Sequence, residues 1–116
     1  MALLLSAHVV LGQQTARELL GEGARLRAQS RLPEAIQTYE QALPLCRDDS
    51  ERAQAWLALA QLHLAQGRPD KALAAYASLT RLPAAPPALR AEAWRESGRL
   101  HTEGEHWQKA REAYDH

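Results

Sequence analysis

Trp56-Leu57-Ala58-Leu59-Ala60-Gln61-Leu62-His63-Leu64-Ala65-Gln66-Gly67-Arg68-Pro69-Asp70-Lys71-Ala72-Leu73-Ala74-Ala75-Tyr76 reads as two helices joined by one turn. Ala and Leu dominate both arms, and both are strong helix formers. Gly67 suits a helix C-terminus, and Pro69 suits the first turn of the next helix. Bulky Trp56, small Ala60 and bulky His63 stand four and three residues apart, so they share one helix face. Ala72 and Tyr76 do the same on the second arm.

The stretch recurs on either side. Ala72-x3-Tyr76 is matched by Ala35-x3-Tyr39 before it and by Ala110-x3-Tyr114 after it, at nearly equal separations. Trp56 stands as far before Ala72 as Trp94 does before Ala110, and Leu19 takes the corresponding place before Ala35. Four residues on from these come Gly23, Ala60 and Gly98, all small, and seven on come Leu26, His63 and His101. Turn signals agree with the repeats: Ser30 and Pro33 in the first copy, Gly67 and Pro69 in the second, Gly104 in the third. Asp48, Asp49 and Ser50 are candidate N-caps for the helix that carries Trp56. Pro86-Pro87 opens the helix that carries Trp94. The spacing predicts helices at 3–14, 16–29, 33–46, 51–66, 70–82, 87–103 and 106–116.

A pattern of Trp-x2-Leu-Gly-x2-Tyr, then Ala-x3-aromatic, resembles the tetratricopeptide repeat. The middle copy carries it best, in Trp56, Leu59, Ala60, His63, Gly67, Ala72 and Tyr76. The resemblance covers residues 16–116 and implies an all-α, right-handed helical solenoid of about three stacked helix-turn-helix repeats. Repeats are expected at about 16–49, 53–86 and 91–116, the last incomplete, after an apolar helical segment at 1–15. Glu22 and Ser97 stand where the second repeat has Leu59, so those two repeats bury less apolar surface there. The extra residues fall in the links, Arg47–Ser50 and Leu82–Pro87, where they should change the angle between repeats. A repeat cannot bury its own apolar face alone. The short last helix, with Ala110, Ala113 and Tyr114, therefore implies either a longer chain or a second copy against that end.

Composition narrows the function classes. Fourteen basic and fourteen acidic side chains leave no formal net charge, so bulk attraction to nucleic-acid phosphates is not favoured. The Leu3–Leu11 segment lacks the positive leader of a secretory signal, and it falls short of the ~18–20 apolar residues that a membrane span needs. Cys46 is the single cysteine, which excludes an internal disulfide and fits a reducing, cytoplasmic setting. Arginine far outnumbers lysine and asparagine is absent, usage that suggests a GC-rich, bacterial coding sequence. No P-loop, dinucleotide-binding glycine motif, His-Glu-x-x-His or nucleophile elbow is present. The histidines have poor ligand spacing; His63 and His101 read as core-edge residues, and Trp56 and Trp94 as packing residues. The chain is thus read as non-catalytic, without cofactor or metal.

In the family, the first helix of each repeat lines a concave groove that holds peptides. The resemblance places there Arg17, Leu20, Ala24 and Arg27, then Gln54, Leu57, Gln61 and Leu64, then Glu92, Arg95, Arg99 and Thr102. Arg95 and Arg99 share a helix face, and two guanidinium groups suit a carboxylate or an acidic peptide. The alternative is a solvated face with local ion pairs to Glu92, Glu96 or Glu103. Some family members clamp a partner's C-terminal carboxylate with Lys, Asn and Arg. Here Leu20, Ala24, Ala58, Glu92 and Glu96 stand at those places, so that clamp is absent. The expected function is a protein-binding module of a larger bacterial regulatory or signalling protein, with homodimeric self-association as the alternative.

Overall fold

The computed structural model describes residues 14–114, so the predicted N-terminal helix lies outside the described residues. Five α-helices follow: α1 (Ala16–Ala28), α2 (Leu32–Ala42), α3 (Asp49–Ala65), α4 (Pro69–Thr80) and α5 (Pro87–Tyr114), with a 3-10 turn at Leu43–Leu45. Each helix packs on the next, and α1 packs beside α3 as α3 does beside α5. The result is two layers, α1, α3 and α5 in one and α2 and α4 in the other.

Local signals explain where the helices begin and end. Thr15 caps α1 by accepting from the Glu18 N–H at 3.1 Å, and Asp48 caps α3 by accepting from the Glu51 N–H at 2.9 Å. Both hairpin turns use one left-handed residue, Ser30 at φ 60° and Gly67 at φ 72°. Beyond each, a backbone N–H reaches back to the helix: Arg31 to the Leu26 carbonyl at 2.9 Å, and Arg68 to the His63 carbonyl at 2.8 Å. These close the helix ends that would otherwise leave carbonyls unpaired. Proline then stands in the first turn of α2 and of α4.

Small residues hold the hairpins together. Ala35, Ala53, Ala55, Ala60 and Ala72 are fully buried, and Tyr76, Leu62 and Leu79 are the largest side chains sealed among them. Such helices approach closely because a methyl group stands where a larger side chain would. At Gly23 the approach is closer still: a Cβ there would lie 2.7 Å from the Tyr39 ring.

The structure departs from the expected elements at two places. The helix predicted over 33–46 ends at Ala42, because Pro44 has no N–H for the ladder and the chain tightens into the 3-10 turn. The turn predicted at Gly104 does not form. The sequence pattern gives two helices, 87–103 and 106–116, yet α5 runs unbroken from Pro87 to Tyr114. The third repeat is therefore one long helix rather than a hairpin. Trp94, expected as a packing residue, is 63% exposed, and His101, expected at the core edge, is exposed too. Among the described residues, no second arm folds back over them.

Candidate partner-binding surface

The layer of first helices, α1, α3 and α5, carries the predicted groove residues. Leu20, Leu57 and Leu64 are half-buried and pack against the core, which gives the surface an apolar floor. Arg17, Arg27, Gln54, Arg95 and Arg99 are exposed, while Gln61 and Glu92 are half-buried. Arg27 Nη1 donates to Gln61 Oε1 at 2.7 Å and ties the first repeat to the second across this layer. Glu92 and Glu96 lie near enough to Tyr76 to hold its hydroxyl proton more firmly, adding to the larger effect of burial.

The arginine pair on α5 divides. Arg99 reaches Glu96 at 2.7 Å and Glu103 at 2.6 Å, local pairing in place of a free guanidinium pair. Arg17, Arg27 and Arg95 form no ion pair among the described residues.

A cavity of about 630 Å³ opens where α1 and α3 begin. It brings together the predicted Arg17, Leu20 and Gln54 with Arg47, Asp48 and Glu51. The last three escape sequence reasoning, because Arg47 and Asp48 lie in a link whose path the repeat pattern does not specify. A second hollow of about 380 Å³ lies on the opposite side, between α2 and α4, over Trp56 and His63 of α3. His63 Nδ1 is buried without a hydrogen-bond partner among the described residues. Burial lowers the imidazole's proton affinity, Lys71 and Arg68 lower it further, and Glu40 opposes them.

The links between repeats are clamped by an arginine near the start of each following helix. Arg52 Nη2 donates to the Cys46 carbonyl at 3.2 Å. Arg90, at the equivalent place in the next repeat, donates to the carbonyls of Leu82 and Pro83. Asp49 adds a bond across repeats, accepting from the Ala84 N–H at 2.9 Å. The recurrence of Arg52 and Arg90 is visible in the sequence, but it lies outside the apolar pattern. Cys46 is buried and its thiol donates to the Ala42 carbonyl at 3.3 Å. Burial first, and the charges of Glu51 and Asp48 after it, disfavour the thiolate, while Arg52 opposes them.

Among the described residues, no three His, Cys, Asp or Glu side chains are grouped to hold a metal ion, and no helix is long and apolar enough to cross a membrane. No curated protein and no solved structure matches the chain. Two family models do, both described as Tetratricopeptide repeat, one over residues 14–83 and the other over 57–116. With its paired helices, small-residue contacts and recurring turns inside those matches, the chain belongs to the tetratricopeptide repeat family.

Proposed function

We propose that the surface formed by α1, α3 and α5 is a groove that holds a peptide or an extended segment of a partner protein. The family's repeats are typically non-catalytic modules that mediate protein–protein interaction, which is the coarse function of this chain. The observation that carries the finer reading is the make-up of that layer. Three half-buried leucines form its floor, and Arg17, Arg27 and Arg95 rise from it without ion pairs among the described residues. Apolar anchors with guanidinium groups around them suit a peptide that combines leucine-like side chains with carboxylates. The arginine-rich, asparagine-free composition supports a bacterial setting, and the buried free thiol of Cys46 suits a reducing, cytoplasmic compartment. In this reading the module recruits a partner to a larger regulatory or signalling protein.

The test is selection from a random peptide display library on the wild-type chain, followed by binding of the selected peptides to an Arg17→Glu, Arg95→Glu variant. Selected peptides should be enriched in Asp and Glu, and the variant should bind them at least about tenfold more weakly, about 1.4 kcal/mol. Its helicity should match wild type, since both side chains are exposed. Peptides without acidic enrichment, or undiminished binding by the variant, would refute the assignment. A second copy of the chain is the competing partner, and exposed Trp94 favours it.

A further inference from the structure

The third repeat breaks the pattern at one point. In the first two, the left-handed turn residue stands seven after the small residue of the hairpin contact: Ser30 after Gly23, Gly67 after Ala60. Counting from Gly98, that slot is filled by Glu105, which disfavours a positive φ. The residues that follow Glu105, His106 and Trp107, include no proline where Pro33 and Pro69 start the second arms. With neither a left-handed residue nor a proline to stop it, α5 continues to Tyr114.

Among the described residues, that continuity leaves one face bare. At Gly23 the Tyr39 ring fills the space beside the glycine, and Ala60 is fully buried in the second repeat. At Gly98, nothing among the described residues lies within 4 Å of the corresponding point. Trp94, four residues before it on the same face, is the most exposed of the large apolar side chains described. The aromatic that fills the contact keeps one separation from the small residue: Tyr39 from Gly23, Tyr76 from Ala60, and by register Tyr114 from Gly98. In one straight helix, with a rise of about 1.5 Å per residue, position 114 lies about 24 Å along the axis from Gly98. It cannot cover the face of its own helix.

A second copy can. If two α5 helices lie antiparallel about a two-fold axis near His106, position 114 of each comes level with position 98 of the other. Both bare faces are then covered at once, by the arrangement of small residue and aromatic that α1 and α2 already display. We propose that two copies of this chain exchange the C-terminal arms of α5, so that each completes the third repeat of the other. Such an exchange is self-complementary and closes on itself as a dimer. It uses the Trp94–Gly98 face and does not depend on the groove reading above.

The experiment is the mass in solution, by light scattering over a concentration series, for wild type and two variants. Wild type should reach twice the 12.9 kDa of one chain as concentration rises. Gly98→Leu should remain at the mass of one chain with unchanged helicity, because the added side chain meets nothing among the described residues of the single copy but blocks the shared contact. Glu105→Gly with Trp107→Pro installs the turn signals of the second repeat. It should return the mass to one chain, with Trp94 fluorescence as blue as in the dimeric wild type, because the folded-back arm covers the same face. A wild type that is monomeric throughout overturns the proposal, as does a Gly98→Leu or turn-restored variant that still dimerises. Should Gly98→Leu lose helicity, the turn-restored variant alone decides.

Discussion

Gly21 and Gly23 stand two residues apart in the interior of α1, and the structure predicts opposite outcomes for the same substitution. Replacing glycine by alanine inside a helix gains about 1 kcal/mol in helix propensity. At Gly21 a Cβ meets nothing within 4 Å among the described residues, so that gain should appear undiminished. At Gly23 the Cβ would stand 2.7, 2.8 and 2.9 Å from three atoms of the Tyr39 ring. Tyr39 is buried between α1 and the rest of the core, so its ring must push α2 outward to make room. Overpacking of this kind costs about 1–3 kcal/mol, which cancels or outweighs the propensity gain. The difference between the two variants isolates the steric cost, because the gain in propensity is common to both. The assay is urea unfolding followed by far-ultraviolet circular dichroism. With a slope of about 1–3 kcal/mol per molar urea, Gly21→Ala should raise the midpoint by several tenths molar. Gly23→Ala should leave it unchanged or lower it by a similar amount. Truncating Tyr39 to leucine in the Gly23→Ala background should then cost less than the same truncation in wild type. If both alanine variants raise the midpoint equally, the contact between Gly23 and Tyr39 does not hold the first hairpin.

Three further outcomes follow. Because burial lowers the proton affinity of His63 below its ordinary value of 6.5, the unfolded chain takes up that proton more readily than the folded one. Stability should therefore fall as pH drops below 6.5, and a His63→Gln variant should lose part of that dependence in unfolding midpoints measured across pH. Asp49→Ala removes the acceptor of the Ala84 N–H and the partner of Arg52. It should cost about 1–2 kcal/mol, with hydrogen exchange at the Ala84 amide accelerated selectively. The Cys46 thiol, buried and held as the neutral form, should react with a thiol reagent far more slowly in the native protein than in urea. Rapid native labelling would contradict its placement against Ala42.

Most of the helical plan is legible from local chemistry. Ser30-x2-Pro33 and Gly67-x-Pro69 mark their turns because a left-handed residue and a proline act within a few bonds of themselves. Asp48, one of the three candidate caps, likewise caps α3 through the amide three residues ahead. The apolar register of Leu19, Gly23, Ala35 and Tyr39, and of Ala60, Ala72 and Tyr76, also names residues that become buried, since each stands at a helical spacing on one face. Gly104 misleads for an equally local reason. A glycine only permits a turn, and the slot that the first two repeats actually use falls one residue later, on Glu105.

The amino-acid sequence by itself determined the helix class, the period, the first two hairpins and the side chains that pack between them, because these follow from dihedral preference and from burial of one helix face. Tertiary structure alone decided the rest. It decided which groups meet across repeats: Arg27 finds Gln61 only when two repeats stack, whereas the pairing of Arg99 with Glu96 and Glu103 is local to α5 and stands among the alternatives that helical spacing offers. It decided that Arg52 and Arg90 close the links, because a carbonyl's direction depends on the path of the loop. And it decided that Trp94 faces solvent, because whether a packing residue is covered depends on an arm that must first turn back, and here the helix runs on.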